Sequence, residues 1–409
     1  MHTYPPTLEI LPLAKPVDAV VSVPGSKSIT NRALVLAALG SRSTACRLTG
    51  VLRSEDTEVM VDCLTKLGFE LLWTDDTITM AKNESGRLIP ATSADLYVAN
   101  SGTTIRFLTA MLAAGQGNYR LSGVPRMHER PIRDLLDALR QLGVNASSEA
   151  GNGCPPVVIA TGGLSGGKVR IRADISSQYL SALMMAAPFA ASPVEIVLEG
   201  PVVSEPYIAM TERMIAEFDS EYAIEPDASA ASYFFGAAAI TGGRILVRGL
   251  KREMLQGDVL FVDALARTGC TVAESPEGII VEGRPLRGID IDMNAISDTM
   301  MTLAVVACFA EGLTTIRNVA HVRHKETDRI AAMAAELRKL GAGVVEFEDG
   351  LTITPGELHG ATVQTYRDHR MAMSLALIGL KVPGVVIDDP GCVAKTYPGF
   401  WQDLAAIRE

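Results

Sequence analysis

The densest group of charged residues in the sequence runs from His321 to Arg329 and precedes an amphipathic segment that begins at Ile330. If a helix begins within this group, Lys325 and Arg329 lie four residues apart on one face, and Glu326 points ~100° away from them. Two like charges on one face repel each other unless an anion lies over them. The group therefore predicts either an anion site or a solvated helix start with an internal Glu–Arg network.

Asp298 precedes another apolar segment, Met300–Ala304. A lone Asp in this place is commonly a helix N-cap, which stabilises a helix by on the order of 1 kcal/mol. Alternatively, its carboxylate is a general base, a role that typically contributes ~10²–10⁴ in rate. Both interpretations are open from the residue alone.

A loop rich in glycine and hydroxyl groups, Pro24–Arg32, follows the strand-like run Ala19–Val23. It leads into an apolar segment, Ala33–Leu39, that is typical of a buried helix. A helix start offers backbone N–H groups and the positive end of its dipole to an anion, and Lys27 and Arg32 add full positive charges. The Walker spacing of a P-loop is absent. The loop is therefore either another kind of anion site or the capped start of a core helix.

Composition describes the kind of chain in which these groups lie. Its 409 residues are too many for one ordinary core, so two domains are expected. The sequence is 48% hydrophobic and 21% charged, with a mean hydropathy of +0.21, which indicates a globular protein. The net charge of −10 argues against nucleic acid as the main partner, but not against a small anion, because local clusters set the field in a cleft.

The six cysteines are scattered, with no Cys-x-x-Cys pair and no zinc-like spacing, so we expect reduced thiols and no metal site. Residues 1–15 lack the basic start and apolar run of a signal peptide. Apolar runs such as Leu180–Ala191 are shorter than a membrane span. We therefore expect a soluble, cytoplasmic protein with no membrane partner.

Two recurring segments organise the chain. One is an acid-led amphipathic helix that ends in Leu-x-x-Leu-Gly or a close variant and precedes a β-hairpin signal, as in Ser54–Gly68 before Phe69–Met80. The other is a helix of small apolar residues with a polar start, and its six markers are Ser26, Asn100, Asp174, Asp227, Asp298 and Asp368. Steps of 74, 74, 53, 71 and 70 residues fit six β-α-β-α-β-β units in two domains of three. Six such helix starts, gathered toward one region, favour a polyanionic ligand in a cleft between the halves.

The step of 53 residues points to a missing segment. The helix Pro206–Phe218 should be followed by a glycine and a hairpin, but the chain continues through Asp219–Glu221 into Tyr222–Asp227. Roughly 20 residues are absent relative to the repeat period. Either the protein has lost a surface hairpin or a loop is missing from the sequence.

Eight motifs occur in an order and spacing that closely resemble the 5-enolpyruvylshikimate-3-phosphate (EPSP) synthase family. They are Pro24–Arg32, Asn100–Arg106, Glu129–Pro131, Ser176–Gln178, Glu225–Ser229, Lys325–Arg329, Asp368–Met373 and Lys395–Thr396. The resemblance covers essentially the whole chain apart from the gap near Asp219. It implies an α/β fold of two similar inside-out domains, each built of three β-α-β-α-β-β repeats.

The resemblance also implies domain boundaries and roles. Residues 22–224 would form an N-terminal domain on the shikimate 3-phosphate side. Residues 1–21 plus 225–409 would form a C-terminal domain with the catalytic groups and the phosphoenolpyruvate side. The active site would lie in the interdomain cleft, and the two halves would close around the substrates.

The implied reaction transfers the enolpyruvyl group of phosphoenolpyruvate to the 5-hydroxyl of shikimate 3-phosphate and releases phosphate by addition and elimination. It belongs to the shikimate pathway to chorismate and aromatic amino acids. By resemblance, Asp298 takes the proton of the 5-hydroxyl, and Glu326, with Lys27 or Lys395, protonates the methylene carbon. Which of these is the acid is open. The family needs no metal and no organic cofactor, and we expect a cytoplasmic monomer that is a target of glyphosate.

Binding residues follow from the matching positions. The resemblance places shikimate 3-phosphate against Lys27, Ser28, Arg32, Ser176, Ser177, Gln178, Ser204, Tyr207, Asp298, His321 and Lys325. It places phosphoenolpyruvate against Lys27, Asn100, Gly102, Arg130, Gln178, Arg329, Arg370 and Lys395. Two phosphates and two carboxylates need many cations and helix starts, because charge-assisted hydrogen bonds to such anions contribute ~1.5–3 kcal/mol each.

Two positions depart from the family pattern, and two alternatives stay open. Phe107 stands where many members have proline, which would shift the helix that carries Gly102, and His321 stands where the family often has asparagine. One alternative is the related transferase that acts on UDP-N-acetylglucosamine, although no loop with a reactive cysteine occurs around Arg126–Pro131. The other is a non-catalytic, phosphate-binding repeat protein in which Asp298 and Glu326 are helix caps.

Overall fold

The structure is a computed structural model that describes residues 4–408. Its backbone divides into two compact units. The N-terminal unit is Gly25–Ile224, and the C-terminal unit combines the residues up to Pro24 with those from Glu225 onward. Within the described residues, each unit contains three β-sheets.

Two strands of the C-terminal unit precede the N-terminal unit along the chain: β1 (Thr7–Ile10) and β2 (Asp18–Val21). The helices of the N-terminal unit are α1 (Lys27–Gly40), α2 (Glu55–Lys66), α3 (Gly102–Ala113), α4 (Arg133–Gln141), α5 (Ser177–Ala186) and α6 (Glu205–Glu217). Its strands are β3 (Cys46–Thr49), β4 (Leu71–Thr74), β5 (Thr77–Met80), β6 (Ser93–Tyr97), β7 (Gly117–Ser122), β8 (Asn145–Ser148), β9 (Val157–Thr161), β10 (Gly167–Ala173), β11 (Val194–Val202) and β12 (Glu221–Ala223). Short 3-10 helices lie at Pro125–Glu129 and Ala187–Phe189.

The helices of the C-terminal unit are α7 (Ala228–Thr241), α8 (Phe261–Thr268), α9 (Met300–Ala307), α10 (Arg329–Lys339), α11 (His369–Gly379) and α12 (Phe400–Ala406). Its further strands are β13 (Arg244–Arg248), β14 (Thr271–Ser275), β15 (Gly278–Glu282), β16 (Asp290–Asp292), β17 (Thr314–Arg317), β18 (Gly343–Phe347), β19 (Gly350–Thr354), β20 (Thr362–Val363) and β21 (Val385–Asp388). Its 3-10 helices are Gly257–Leu260, Asn294–Thr299, Ala320–His324 and Pro390–Lys395.

Four sheets share one pattern, in which a parallel pair of strands is extended by an antiparallel hairpin. Their strand orders are β12-β3-β5-β4, β6-β7-β9-β8, β14-β15-β13-β2 and β16-β17-β19-β18. In two of these sheets one helix joins the parallel pair and another leads to the hairpin, as α3 and α4 do around β7 and as α9 and α10 do around β17. A fifth sheet, β1-β21-β20, takes its antiparallel strand from the start of the chain. The β-α-β-α-β-β repeat is therefore visible in both units.

The remaining repeat, in the N-terminal unit, has only the parallel pair β10–β11 among the residues that the structure describes. Helix α6 ends at Glu217 and β12 begins only four residues later, at Glu221. The carbonyl of Ser220 already accepts a hydrogen bond from the Arg47 N–H at 2.7 Å, so the chain passes directly into the sheet of β3. Within the described residues, α6 is therefore followed by β12 and not by a hairpin, as the repeat spacing predicts.

Buried helices form the centre of each unit. All residues of α3 and α9 are buried, as are Ala228–Ile240 of α7. Gly236 allows α7 to approach its neighbours closely, because a Cβ there would lie 2.8 Å from Thr302 Cγ2 and 2.9 Å from Leu377 Cδ1. Helices inside and sheets outside confirm the predicted inside-out α/β fold.

Side-chain caps fix where the central helices begin. Five of the central helices in residues 4–408 start at a cap whose oxygen accepts a backbone N–H: Ser26, Ser101, Ser176, Asp227 and Asp368. Such caps satisfy N–H groups that have no partner inside the helix. The polar helix starts that the sequence marks are therefore structural as well as candidates for ligand binding.

A left-handed residue follows the second strand of five repeats, where the chain turns toward the next helix. These residues are Gly50, Ser204, Gly249, Asn318 and Asp389, with φ between 48° and 73°. Residues with a Cβ rarely adopt this conformation. The turn is thus built into the repeat, whether or not glycine occupies it.

Three further observations concern the described part of the chain. All six cysteines are free, and burial raises the pKa of Cys63 and Cys308 to about 12. Across residues 4–408, no three His, Cys, Asp or Glu side chains are grouped as metal ligands. None of the helices in this range combines the length and apolar character that a membrane span requires.

Candidate active site

Asp298 is the centre of a charged cluster in the C-terminal unit. It lies in the 3-10 helix that precedes α9, and α9 itself starts after Thr299 as its N-cap residue. One carboxylate oxygen, Oδ1, accepts hydrogen bonds from Lys325 Nζ at 2.5 Å and Arg329 Nη1 at 3.0 Å. The other, Oδ2, accepts one from Arg370 Nη2 at 2.9 Å. The interpretation of Asp298 as the N-cap of α9 is therefore wrong, and its carboxylate instead joins three cations.

Arg329 ties this cluster to two more carboxylates. Its side chain is 1% exposed, and its Nε donates to Asp368 Oδ2 at 2.7 Å. Its Nη2 donates to Glu326 Oε2 at 2.8 Å. Burial opposes the charge of Arg329, but Asp368, Glu326 and Asp298 together raise its pKa above the usual range. The guanidinium is thus locked in the charged state.

The sequence predicted this grouping for the wrong geometric reason. Helix α10 begins at Arg329 with Asp328 as its N-cap, so Lys325 and Glu326 precede the helix. Lys325 and Arg329 do not share a helix face but meet at the carboxylate of Asp298. Glu326 does not point away from the pair, since it contacts Arg329 directly.

The cluster shifts the pKa of its members. Burial favours neutral Asp298, but Arg370, Lys325 and Arg329 lower its pKa well below the usual value. Burial lowers the pKa of Lys325, and the charges of Arg329 and Arg370 lower it as well. The Asp298 carboxylate acts in the opposite direction but does not outweigh them. Because of burial and of nearby Lys325, the pKa of His321 is lowered to about 3.

The other predicted residues of this unit lie on neighbouring segments. His321 is buried in the 3-10 helix Ala320–His324, and its Nε2 is 2.9 Å from Ser297 Oγ, close along the chain to Asp298. Arg370 is buried in the first turn of α11, where Asp368 accepts a hydrogen bond from its N–H. Lys395 is buried at the end of the 3-10 helix that follows β21.

His369 and Asp368 are absent from the predicted set although they belong to the same group of side chains. His369 is buried, and within residues 4–408 neither of its ring nitrogens has a hydrogen-bond partner. Burial and nearby Arg370 lower its pKa well below the usual value, so the ring is neutral. The available signal in the sequence was the order Asp-His-Arg. In the structure the acid of this motif, Asp368, caps α11 and accepts a hydrogen bond from Arg329.

In the N-terminal unit, Lys27 opens helix α1 and meets an acid that the sequence did not single out. Its Nζ lies 3.4 Å from Asp56 Oδ2, and the Asp56 side chain is only 2% exposed. Ser28 follows it on α1, and the Ser28 carbonyl accepts a hydrogen bond from Arg32 Nη1 at 3.1 Å. Asp56 is therefore the carboxylate that orients Lys27.

Arg32 is held by neutral groups. Its side chain is fully buried, and it donates to Thr211 Oγ1 at 2.7 Å, Ser181 Oγ at 3.2 Å and the Tyr207 carbonyl at 3.3 Å. Its guanidinium carbon lies 5.0 Å from the ring centre of Phe107 and 5.8 Å from that of Tyr207. Burial lowers its pKa to about 10. Phe107, the departure from the family pattern, therefore forms one wall of an arginine cage.

Arg106 and Arg130 converge on Gly102. Arg106 donates to the carbonyls of Gly102 and Pro131 and to Gln178 Oε1, while Arg130 donates to the carbonyl of Asn100 at 2.9 Å. A Cβ on Gly102 would lie 2.5 Å from Arg130 Nη2 and 2.8 Å from Arg106 Nη1. Only glycine leaves both guanidinium groups where they are. Arg106 was noted in the sequence but left out of the predicted binding set.

The remaining predicted residues are at helix starts of the same unit. Ser176 caps α5 by accepting the Gln178 N–H, and buried Ser177 is the first residue of that helix. Ser204 is the left-handed residue before α6, and Tyr207 lies in the first turn of α6. Each unit by itself thus gathers cations with helix starts, as an anion-binding surface requires.

Comparisons with known proteins agree with this geometry. The family model of EPSP synthase (3-phosphoshikimate 1-carboxyvinyltransferase) matches residues 13–221 and 217–404. The chain belongs to the EPSP synthase family. A relative from Nostoc punctiforme named 3-phosphoshikimate 1-carboxyvinyltransferase is 46% identical over 98% of this chain and 99% of its own length. One of the same name from Nitrosomonas europaea is 45% identical over 97% and 98%.

Solved structures extend the comparison to three dimensions. An EPSP synthase from Acinetobacter baumannii superimposes with a TM-score of 0.80 at 26% identity and covers 98% of both chains. The enolpyruvyl transferase NikO from Streptomyces tendae shares the fold with a TM-score of 0.74 at 18% identity, over 98% of this chain and 97% of its own. The Nostoc alignment spans 425 positions against 409 residues here, so EPSP synthase relatives have positions that this chain lacks.

Proposed function

We propose that this protein transfers the enolpyruvyl group of phosphoenolpyruvate to the 5-hydroxyl of shikimate 3-phosphate and releases inorganic phosphate. The observation that carries the proposal is a carboxylate, Asp298, bound by three cations in a chain of the EPSP synthase family. Relatives at 43–46% identity bear the name 3-phosphoshikimate 1-carboxyvinyltransferase. The donor and the acceptor are both anions, and both need such cations.

Addition begins when the 5-hydroxyl oxygen bonds to C2 of phosphoenolpyruvate. Asp298 takes the hydroxyl proton, and C3 receives a proton to become a methyl group. Elimination then breaks the bond from C2 to the phosphate oxygen, removes a methyl proton and restores the double bond. A base works best when its pKa lies near the working pH. Without a ligand, the pKa of Asp298 lies well below its usual value and therefore far from that range.

Substrate binding would raise the pKa of Asp298. Arg329 and Arg370 are proposed ligands of phosphoenolpyruvate, and both also hold Asp298. When an anionic donor engages these cations, their hold on Asp298 weakens and its pKa rises. Donor binding would thus activate the base, whereas before binding the three cations keep the Asp298 carboxylate ionised.

The proposed acid for C3 is Glu326, assisted by Lys27 or Lys395. Glu326 contacts Arg329 at 2.8 Å, which positions its carboxyl group beside the donor cations. Lys27 is oriented by Asp56 in the N-terminal unit. The donor ligands would be Lys27, Asn100, Gly102, Arg130, Gln178, Arg329, Arg370 and Lys395.

The acceptor ligands complete the proposal. Shikimate 3-phosphate would contact Lys27, Ser28, Arg32, Ser176, Ser177, Gln178, Ser204, Tyr207, Asp298, His321 and Lys325. The positive charge of Arg32, held among neutral groups, favours an acceptor that carries a carboxylate and a phosphate. His321 is neutral and hydrogen-bonds Ser297, so it would donate or accept as a polar group without charge.

The test is phosphate release from phosphoenolpyruvate by purified protein. We expect release that depends on shikimate 3-phosphate and none with UDP-N-acetylglucosamine. Release with the nucleotide sugar alone would assign the chain to the other enolpyruvyl transferase. No release with either acceptor would favour a binding protein. We also propose a cytoplasmic monomer, in keeping with six free cysteines, and sedimentation at the mass of one 43.5 kDa chain would support it.

A further inference from the structure

The segment that leads into α11 has an unusual backbone. Tyr366 and Arg367 are consecutive, and both have left-handed dihedrals, with φ of 54° and 56°. Residues with side chains seldom adopt this conformation, and a pair in succession persists only where surrounding contacts impose it. The next residues are Asp368, which caps α11, and Arg370. The strained pair therefore lies directly before a candidate donor ligand.

Glu336 of helix α10 holds this segment. Its side chain is 1% exposed, and its Oε1 accepts a hydrogen bond from the hydroxyl of Tyr366 at 2.8 Å. Its Oε2 accepts one from the Gln364 N–H at 3.0 Å and contacts Lys339 Nζ at 2.6 Å. The buried carboxylate of Glu336 thus holds both Gln364, which precedes the strained pair, and Tyr366, the first residue of the pair.

Arg329 holds the other side of the pair from the same helix. Arg329 and Glu336 are seven residues apart on α10, so two helical turns place them on one face. Arg329 Nε donates to Asp368 Oδ2 at 2.7 Å, and Asp368 accepts the Arg370 N–H at 2.9 Å. Helix α10 therefore holds residues 364–370 at both ends, with the strained pair between the two attachments.

We infer that Glu336 and Tyr366 are positioning residues for the donor: they fix the strained pair so that Arg370 and Arg329 meet at Asp298. The inference rests on the proposed function, in which these arginines bind phosphoenolpyruvate. Neither residue is proposed to touch substrate. Without the Glu336–Tyr366 bond, the pair relaxes toward ordinary dihedrals and carries Asp368 and Arg370 with it.

The principal test is Tyr366→Phe, which removes one hydroxyl from a side chain that is 42% exposed and should leave the fold intact. We expect KM for phosphoenolpyruvate to rise about tenfold, as loss of one hydrogen bond to a charged group would allow, with KM for shikimate 3-phosphate within about twofold. Tyr119→Phe is the matched control, because the Tyr119 hydroxyl also donates hydrogen bonds, to the carbonyls of Ala91 and Gln116, and Tyr119 lies in β7 of the N-terminal unit, a strand without predicted site residues. It should leave both KM values unchanged.

Two further variants separate positioning from general weakening. Glu336→Gln should raise the same KM, and the double variant with Tyr366→Phe should be no worse than the more severe single variant, because both act through one contact. Arg367→Gly in the Tyr366→Phe background should restore KM at least partly, since glycine adopts a left-handed conformation without strain. Equal rises for both substrates, additive effects or no rescue would each overturn the inference. Turnover by the unmodified protein with shikimate 3-phosphate decides the proposed function separately.

Discussion

The two units hold a buried arginine in opposite ways. Arg329 of the C-terminal unit contacts three carboxylates, Asp298, Glu326 and Asp368, and is 1% exposed. Arg32 of the N-terminal unit is equally buried, but its partners are hydroxyl groups, carbonyls and two aromatic rings. Acids raise the pKa of the first, whereas burial lowers that of the second to about 10.

This contrast separates two tasks. A network of alternating acids and cations is nearly neutral, keeps its groups in place and can pass protons, which suits the chemistry proposed for the C-terminal unit. A guanidinium surrounded by neutral groups keeps a positive charge that only a ligand can neutralise, which suits an anionic acceptor. The same residue type is thus held by acids in one unit and by neutral groups in the other.

The largest expected effect comes from removing the proposed base. Asp298→Asn should lower kcat by ~10²–10⁴, the usual contribution of a general base, measured as phosphate release at saturating substrates. The amide keeps the shape of the side chain but cannot take the hydroxyl proton.

A matched change at the same cluster checks that interpretation. Asp368→Asn removes another carboxylate bound to Arg329 and leaves Asp298 in place, so it should lower kcat much less than Asp298→Asn. A loss below tenfold for Asp298→Asn would return this residue to a structural role.

The next effect compares the arginines directly, through Arg329→Met and Arg32→Met. Arg329→Met should lower the free energy of unfolding by about 3–5 kcal/mol, because it leaves buried carboxylates without their partner. Arg32→Met should change it by under about 1 kcal/mol, or stabilise the protein, since it replaces a buried charge with an apolar chain among neutral groups. Urea denaturation of both variants measures the difference.

Activity adds the second half of this comparison. Arg32→Met should raise KM for shikimate 3-phosphate by at least about tenfold while the fold persists, as loss of one charged contact implies. Equal destabilisation by the two substitutions would erase the distinction between the units.

A smaller effect follows from the space at Gly102. In Gly102→Ala the new methyl group must displace the ends of Arg130 and Arg106, which are flexible side chains and can move without unfolding α3. We expect KM for phosphoenolpyruvate to rise about tenfold with an unchanged melting temperature, since one displaced cation costs roughly 1.4 kcal/mol of binding. Steady-state kinetics and calorimetry measure the two quantities. An unchanged KM would mean that neither arginine binds the donor.

Much of this was accessible from the sequence, because repeat spacing and helix starts are local patterns. The six-repeat α/β fold follows from polar caps such as Ser26 and Asp227, which the structure retains. Contacts between distant segments were not accessible. Lys325 and Arg329 meet through Asp298, not through a shared helix face, and no local pattern reveals that α10 begins four residues after Lys325. The pairing of Lys27 with Asp56 likewise needs the packing of α1 against α2.

Low pH should destabilise the C-terminal unit before the N-terminal unit, because His321 and His369 both lie buried in the C-terminal unit. Burial lowers the pKa of His321 to about 3 and that of His369 well below its usual value. A depressed folded-state pKa means stability that is complete above the unfolded-state pKa, ~6.5, and is lost as the pH falls below it. Each histidine should contribute a slope of ~1.4 kcal/mol per pH unit below that point.

Hydrogen exchange from pH 7 to pH 4 measures this loss unit by unit. Protection should fall earlier in α9 and α11 than in α1 and α3. His321→Asn, which keeps a polar side chain beside Ser297, should remove about half of the slope. A uniform loss of protection in all four helices would contradict the assignment to buried histidines.

The smallest expected effect concerns the left-handed residue that recurs after the second strand of the repeats. Asp389 occupies this place with φ of 48°, whereas Gly249 occupies the equivalent place in another repeat of the same unit. Asp389→Gly should relieve backbone strain and raise the free energy of unfolding by a few tenths of a kcal/mol up to about 1 kcal/mol. The greater conformational entropy of glycine in the unfolded chain reduces this gain. The reverse change, Gly249→Asp, should lower it by a similar or larger amount. Urea denaturation of both variants tests whether the repeats share one turn geometry: if Asp389→Gly destabilises the protein, the Asp389 side chain contributes contacts that outweigh its strain, and the turn is specific to that repeat.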